Sequence, residues 1–460
     1  MDERAAIRGI RMRTLIIVWL GQLVSLIGTG VTGFALSIWV YQRTGSATQF
    51  ALIAFCGVLP GVLLSPLAGA LVDRWNHRWT MILSNTGGAL SALMIASLLT
   101  AGWLEIWHIY VITAFNSTFS AFLLPAYTAA TTLLIPKQHL GRAGGMLQMG
   151  QAIVQLGAPG LGSLLLETIQ LQGVILFEFT ACFFALATLL CVRLSKTKAT
   201  PTGGAEKDSL LHEVAYGWAY LTSQPGLLGL LIFFATSNFL SGIVGVLFGP
   251  LVLSFASPIV FGTLLSIAGV GSLVGSLVMS IWGGPQRRMQ AVFSVMLLGG
   301  LCILVAGLGT SILILGIVLF LFFFGTSVLN VCTQVIFQRK VAPYVQGRIF
   351  ALRAAVAGAS LPLAYLVAGP LADYVFEPLM VPDGPLAGSV GQIIGVGPGR
   401  GIGLMFMFIG VLTLMVTVIA YHYPRLRLVE DELPDAIPDD KVSAEPEPID
   451  PPKLGAQVSK

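Results

Sequence analysis

Long apolar runs alternate with short polar segments along most of this 460-residue chain. A helix needs about 20 apolar residues to cross a bilayer. The runs are too long and too continuous for barrel strands, whose apolar and polar side chains alternate, so we predict helices. Twelve spans are predicted, at residues 14–42, 49–72, 79–103, 106–134, 144–168, 172–193, 227–252, 258–282, 289–309, 312–337, 347–375 and 400–422.

Composition agrees with a membrane protein. Charged residues make up 10% of the chain, hydrophobic residues make up 55%, and the mean hydropathy is +0.86, whereas about a quarter of a soluble domain is charged. Lysine and arginine lie almost entirely on one side of the predicted spans, and the segments on the other side contain only Arg43 and Arg400. Cytoplasmic loops carry the excess of basic residues. Both termini are therefore expected in the cytoplasm, and the +4 net charge does not indicate a nucleic-acid partner.

The spans divide into two sets of six. We predict an N-terminal six-helix bundle over 1–194, a cytoplasmic linker with an interfacial helix over 195–225, a C-terminal six-helix bundle over 226–428, and a disordered, acidic, proline-rich tail over 429–460. A shift of 206 residues places Gly69 on Gly275 and Glu167 on Asp373 without gaps. Repeated matches at one offset indicate an internal duplication.

The turn between spans two and three carries a dense cluster of charge. Segment 69–78 reads GALVDRWNHR. It resembles the G-x-L-x-D-R-x-G-R-[RK] signature of the major facilitator superfamily, although Asn76 and His77 replace the usual glycine and the first basic residue. That resemblance implies an all-α membrane protein with twelve transmembrane helices in two pseudo-symmetric six-helix bundles. It also implies a substrate cavity lined by spans one, four, seven and ten.

The same resemblance assigns a gating role to this turn. In the family the aspartate docks onto the start of span eleven and locks the two halves on the cytoplasmic side. Here the gating residues are Gly69, Asp73, Arg74 and Arg78, with Arg348 at the start of span eleven. The alternative is that the two arginines of the turn only anchor the membrane topology.

A narrower resemblance indicates the substrate class. Segments 73–78 and 21–28 are similar to the macrolide-efflux and siderophore-exporter branch of drug:proton antiporters, although that branch often has an acid in span three where this chain has Asn85. The resemblance implies efflux of amphipathic small molecules, such as macrolide-like drugs, natural products or siderophores, by alternating access. It further implies a monomer in the bacterial cytoplasmic (inner) membrane, driven by a proton gradient and without a cofactor.

Polar side chains form stripes at helical spacing on three apolar spans, one of which is span five with Gln148, Gln151 and Gln155. Amide groups facing lipid would lack hydrogen-bond partners, so the stripes should face protein or a water-filled cavity. Hydrogen bonding between helices without any substrate contact is the alternative. The predicted cavity residues are Gln22, Ser25 and Thr29 in span one and Asn330, Gln334 and Gln338 in span ten.

Two charged residues lie well inside spans, each about six residues from the start of its span. Glu178 lies in span six and Arg353 in span eleven. Burying an ionisable group in a membrane is expensive, so both are candidates for coupling transport to the proton gradient. A purely structural role for Glu178 stays open.

Span five contains a segment typical of a bent helix. Gly157, Pro159 and Gly162 loosely resemble the G-P-x-x-G-G motif of antiporters. Proline and small residues permit a bend and a close helix approach, so we predict a helix bend here.

No feature of the sequence favours an enzyme. The histidines are scattered, no CxxC pair suggests a metal site, and no GxxxxGK[ST] segment could hold ATP. Two alternatives to drug efflux remain. One is a lipid or lysolipid transporter of the same fold, and the other is a non-transporting membrane sensor.

Overall fold

A computed structural model describes residues 3–72, 75–134, 140–191, 218, 222, 224–309, 311–341 and 343–432. Within these ranges the chain is helical and contains no strand. The long helices are Glu3–Thr44, Ala47–Val72, His77–Thr100, Ile106–Ser120, Leu123–Leu134, Leu140–Cys191, Pro225–Leu253, Pro258–Trp282, Arg288–Leu308, Ile312–Lys340, Pro343–Leu371 and Arg400–His422. Shorter elements are the π-helix Ala372–Phe376 and the helices Glu377–Leu379, Gly391–Ile394, Pro424–Arg427 and Val429–Glu432.

Helix Leu140–Cys191 contains two crossings. Its 52 residues would extend about 78 Å as one rod, more than twice the thickness of the hydrocarbon core. Gln170 interrupts the helix with φ 58° and ψ 177°, and the chain reverses there. We therefore number 140–169 as span five and 171–191 as span six.

Span one records this reversal in its contacts. Residues further along span one contact residues further along segment 150–162, so span five runs parallel to span one. Against span six the order is opposite, because Gly21 packs on Thr188 whereas Gly28 packs on Ala181. Eleven apolar helices in the described residues are long enough to cross a membrane, and this reversal divides one of them. The prediction of twelve helical spans is confirmed.

Span four is not one continuous helix. The sequence predicted a single run over 106–134, but a turn at residues 121 and 122 separates Ile106–Ser120 from Leu123–Leu134. Pro125 lies just beyond this turn. It has no N–H to donate to the carbonyl group of Ala121, and its ring disfavours the preceding helical turn.

Alternation of the spans defines two faces. Span one begins and span twelve ends at what we call the terminal face, and segment 376–399 lies at the far face. Spans one to six pack mainly among themselves, as do spans seven to twelve. The main contacts between the two sets join span two to span eleven and span five to span eight.

Contacts between the two sets are close in their far halves. The ring of Phe34 stacks on Phe261 with centroids 5.1 Å apart. A Cβ atom on Gly262 would come within 2.7 Å of the carbonyl oxygen of Pro159, so glycine is required for this approach. The predicted bend around Gly157 is not a break, because Gln170 alone leaves the helical conformation within this helix. The segment instead packs closely, and Gly162 lies against Phe34.

The end of span twelve continues into a docked segment. We predicted a disordered tail from residue 429, but Val429–Glu432 is helical. A carboxylate oxygen of Glu430 accepts a hydrogen bond of 2.8 Å from the backbone N–H of Met289. Met289 lies in the first turn of span nine, where the helix dipole favours negative charge. This contact explains the order; residues 433–460 lie outside the described part of the chain.

Candidate transport site

A large cavity lies among spans seven to twelve, and Gln155 of span five also contributes to its wall. It has a volume of about 700 Å³, which is in the range of cavities that enclose drug-sized ligands. Most of its wall is apolar. The aromatic lining residues are Phe234, Phe248, Phe322, Phe323, Tyr365 and Phe406. The larger polar and charged lining residues are Gln155, Asn238, Asn330 and Arg353.

Arg353 is half-buried in the wall of this cavity. Its Nη1 atom lies 3.4 Å from Oε1 of Gln334, and its guanidinium group lies 5.2 Å from the ring centre of Phe337. Asn330 lies one helical turn from Gln334 and lines the same cavity. The structure therefore brings Arg353 together with two of the amides predicted on span ten.

The third amide of span ten lies apart from the cavity. The side chain of Gln338 is exposed, and its main-chain oxygen accepts a hydrogen bond of 2.9 Å from the side chain of Gln346. It lies one turn closer to the terminal face than Gln334, and of the three amides only Asn330 is among the described lining residues of the cavity.

A second, smaller pocket lies among spans one, three, four, five and six. Its volume is about 170 Å³. Gln22, Ser25 and Thr29, the stripe predicted on span one, all line it. Spans one and seven thus line two different pockets, whereas the family resemblance implied one central cavity that they share.

Asn85 organises the polar groups of the small pocket. Ser25 donates a hydrogen bond of 3.0 Å to Oδ1 of Asn85, whose Nδ2 donates to Gln22 at 3.3 Å and to the carbonyl of Met81 at 2.9 Å. These side chains are buried. Asn85 therefore cross-links spans one and three at the position where the related branch often has an acid.

Several buried polar atoms around this pocket have no hydrogen-bond partner. They are Nε2 of Gln22, Oγ of Ser84 and the hydroxyl of Tyr127. Buried polar groups are normally satisfied by protein or by ordered water, and a pocket of this size and polarity has room for water. The arrangement therefore fits a small hydrated pocket.

Glu178 lies beside the small pocket. Its side chain is 3% exposed, and it is the one charged residue in the buried part of the described chain. The hydroxyl groups of Thr29 and Thr32 face its carboxyl group, and Oγ1 of Thr32 makes no hydrogen bond of standard geometry. A protonated carboxyl group could donate to that oxygen. Thr29 also lines the pocket, so it links the acid to the pocket.

The two coupling candidates are widely separated in the fold. Glu178 contacts span one within the first set of six spans, whereas Arg353 faces the large cavity in the second set. No contact between them occurs in the described structure, in agreement with the expectation that they do not form a direct pair.

Most of the predicted gate cannot be placed. Asp73 and Arg74 lie outside the described residues, and so does the side chain of Arg348. Arg78 donates from Nε and Nη2 to the carbonyl oxygens of Leu189 and Leu190, both at 3.0 Å. It thereby contacts the negative C-terminal end of span six.

Gly69 occupies open space in this conformation. A Cβ atom there would meet no heavy atom of the described residues within 4 Å. Its counterpart Gly275 is tightly packed, with a Cβ position 2.6 Å from the carbonyl oxygen of Phe324. The two glycines that one sequence shift superposes therefore have different surroundings.

A carboxylate contact at the far face joins the two sets of spans. Asp373, after span eleven, accepts hydrogen bonds from the N–H groups of Ala47 and Thr48 at 3.0 and 2.9 Å and from the hydroxyl of Ser46 at 2.6 Å. These groups begin span two, where the helix dipole favours an anion. We call this contact the far-face latch.

Sequence reasoning missed two residues of this arrangement. Asn238 is an isolated amide within an apolar run of span seven, and a search for stripes does not detect a single residue. Asp373 appeared in the internal alignment opposite Glu167, but its partner Ser46 is 327 residues away in sequence. The sequence features that could have indicated this contact are an acid just after span eleven, Asp373, and a serine just before span two, Ser46.

Comparison with known proteins gives matches over most of the chain. Macrolide efflux protein A of Streptococcus pyogenes is 27% identical over 371 residues, covering 78% of this chain and 89% of that protein. Multidrug efflux pump Tap of Mycolicibacterium fortuitum is 27% identical over 372 residues, with the same two coverages. Both relatives are efflux proteins by name, in line with the predicted efflux transport.

Solved structures match the fold. The nucleoside transporter NupG gives a TM-score of 0.65 at 13% identity, covering 89% of this chain and 99% of that one. A bacterial homologue of the human lysosomal transporter Spinster gives 0.65 at 14% identity, covering 92% and 98%. At these identities the likeness establishes the architecture alone.

A family model provides the assignment. The model described as Major Facilitator Superfamily matches residues 18–365. The predicted architecture and the prediction of a multi-pass membrane transporter for small molecules, and not an enzyme, are confirmed. The bacterial relatives point to the cell membrane. This chain belongs to the Major Facilitator Superfamily.

Proposed function

We propose that the protein exports amphipathic small molecules by proton antiport. The observation that carries this proposal is the 700 Å³ cavity, whose wall is mainly aromatic and aliphatic with a few polar side chains. Such a lining suits a substrate with a large apolar body, because apolar surface provides affinity while a few polar groups fix orientation. The efflux proteins among its relatives support the same direction of transport.

The terminal face is the cytoplasmic face in this proposal. The basic residues concentrated at that face support it, since cytoplasmic loops carry the excess of lysine and arginine. The far-face latch and the contact between Phe34 and Phe261 close the opposite side. The conformation therefore corresponds to an inward-facing carrier ready to take substrate from the cytoplasm or the inner leaflet.

Glu178 carries the exchanged proton in this scheme. Its burial beside hydroxyl groups, with Thr29 leading to a small hydrated pocket, supports the assignment. An ionised carboxylate is expensive to keep there. Proton binding and release at Glu178 would therefore change the relative free energies of the two conformations, which is the requirement for coupling.

Two carboxylate latches alternate during the cycle. In the inward-facing state Asp373 holds the start of span two at the far face. In the outward-facing state Asp73 takes the corresponding role against the start of span eleven and Arg348, as the family resemblance implies. Each contact places an anion at a helix N-terminus, so the two states are stabilised by the same physical interaction at opposite faces.

Everted membrane vesicles test this function. Vesicles containing the protein should accumulate the neutral amphipathic dye Nile red when respiration acidifies their interior, and a protonophore should abolish the accumulation. Vesicles from cells with empty vector give the background. Accumulation that persists with the protonophore would contradict proton coupling, and absence of dye transport combined with movement of a fluorescent lysolipid between leaflets would favour the lipid transporter.

The sensor alternative has its own test. Removal of residues 433–460 should leave dye accumulation unchanged, because the transport site lies entirely within the spans. A tail-deleted protein that reaches the membrane at normal levels but no longer transports would contradict this assignment of function to the spans.

A further inference from the structure

The large cavity has an unbalanced charge. Arg353 is the one ionisable side chain with a full charge among its described lining residues, and no carboxylate is among them. The acids of the described spans lie elsewhere, with Glu178 beside the small pocket and Asp373 at the far face. A ligand in the large cavity therefore meets a net positive wall.

The guanidinium group of Arg353 is weakly engaged. Arginine has five N–H donors in a planar fork that matches a carboxylate. The hydrogen bond to Gln334 is long, at 3.4 Å, and the other described contact is the ring of Phe337 at 5.2 Å. Neither contact uses two parallel donors, which is the arrangement that makes arginine–carboxylate pairs strong.

Neighbouring residues complete a binding surface for an amphipathic anion. Asn330 lines the cavity close to Gln334 and can donate a further hydrogen bond from its amide. Phe322 and Phe323 lie on the same helix, about two turns from Asn330 towards the far face, and also line the cavity. A carboxylate at Arg353 would leave an apolar body directed along this aromatic wall.

We infer that Arg353 selects amphipathic organic anions, specifically molecules with a carboxylate attached to a large apolar body. This inference deepens the proposed function and rests on it. Like charges repel more strongly in a low-dielectric cavity than in water, so an amphipathic cation of equal size is disfavoured. The charge that this cavity prefers in its substrate therefore follows from its own wall and not from the name of the macrolide efflux relative.

Binding to the purified full-length protein in nanodiscs tests the inference. The probes are 11-(dansylamino)undecanoic acid and its methyl ester, which share the apolar body and differ in charge. We expect the acid to bind at least about tenfold more tightly than the ester, the factor that one good charged hydrogen bond supplies. The ratio of acid to ester affinity is measured on the wild-type protein, so this test does not require that any variant folds correctly.

Variants locate the preference. R353Q should reduce the affinity ratio of acid to ester to about one by weakening binding of the acid alone. R353K keeps the charge but loses the planar fork, so an intermediate ratio is expected. R43Q is the matched control, because Arg43 is an exposed arginine over Trp39 that does not line either pocket.

Two results overturn the inference. One is equal affinity of the wild-type protein for acid and ester, and the other is a wild-type ratio that R353Q does not change. In both cases Nile red accumulation in everted vesicles remains the independent measure of export. Either of these two results with intact dye export by the wild-type protein refutes the substrate class, whereas absence of dye export by the wild-type protein refutes the proposed function itself.

Discussion

The two pockets differ in size, lining and neighbours. The large cavity in spans seven to twelve is mostly apolar and has one cation, whereas the pocket in spans one to six is smaller, rich in amides and hydroxyls, and next to a buried acid. Span five touches both, since Gln155 lines the first and Gln151 the second. In the proposed mechanism this difference assigns substrate recognition and proton exchange to separate halves of one carrier.

Replacing the buried acid should give the largest effect. Glu178→Gln keeps the shape and hydrogen bonding of the side chain but cannot release a proton. We expect loss of accumulation against a gradient in everted vesicles, while the affinity for ligands of the large cavity stays the same. Glu167→Gln is the control, because Glu167 is exposed at the far face. Proton-driven accumulation by the E178Q protein would show that the acid is structural.

Filling the large cavity should have the next largest effect. Gly245 lines it, and a Cβ atom there would meet no atom of the described residues within 4 Å, so Gly245→Trp can be accommodated by occupying cavity space. We expect export of large substrates to fall by about tenfold or more, because overpacking a binding space costs about 1–3 kcal/mol. Transport rates measured with substrates of increasing size check this.

The control for the cavity is a glycine outside both pockets. Gly33 is exposed and has the same open surroundings, and Gly33→Trp should leave the rates unchanged. If G245W transports large substrates normally, the large cavity is not the substrate site. The proposed division of roles between the two pockets is then refuted.

Weakening the far-face latch should favour the conformation that is open at the far face, and this change affects both pockets together. Asp373→Asn leaves a single acceptor oxygen for the N–H groups of Ala47 and Thr48 and removes the charge that favours the helix dipole. We expect the population open at the far face to rise by about tenfold, corresponding to roughly 1–2 kcal/mol of capping and dipole energy. Spin-label distances across the far face measure this, and Asp383→Asn is the exposed control. Unchanged distances would contradict the latch.

A change in the small pocket should have the smallest effect on cargo. Asn85→Leu removes the acceptor of Ser25 and the donor to Gln22. The protein should lose about 1–3 kcal/mol of stability, while affinity for ligands of the large cavity is unchanged. Thermal melting compared with Ser91→Ala checks the first expectation, since Ser91 bonds only to a carbonyl of its own helix. Altered affinity in the N85L protein would couple the two pockets.

The membrane made much of this architecture predictable from sequence. Backbone groups must be satisfied within each span, so apolar length alone gave the number of crossings, and residues 400–422 were predicted for the helix Arg400–His422. Helical spacing grouped Gln22, Ser25 and Thr29 on one pocket wall. Residue spacing along the sequence is enough to predict such a grouping, because all three residues lie on one helix.

Long-range features were beyond such reasoning. The family resemblance indicated a central cavity shared by both halves, but the stripes on spans one and ten belong to separate pockets, and which pocket a stripe faces depends on how helices pack. The pairing of Asp373 with the start of span two joins residues 326 positions apart, which no local pattern indicates. The break in span four was also missed. Pro125 is compatible with a break, but the apolar run around it is uninterrupted and therefore predicted one continuous helix.

The reversal at Gln170 bears on how the chain enters the membrane. One residue separates two helices there, so in the orientation proposed above no hydrophilic loop has to be carried across the hydrocarbon core. Among the exposed groups at this tip are Glu167 and Gln170, and moving few polar groups keeps the insertion cost small. The insertion machinery can therefore receive spans five and six as one preformed hairpin. Lengthening this tip with charged residues would turn a single insertion event into two.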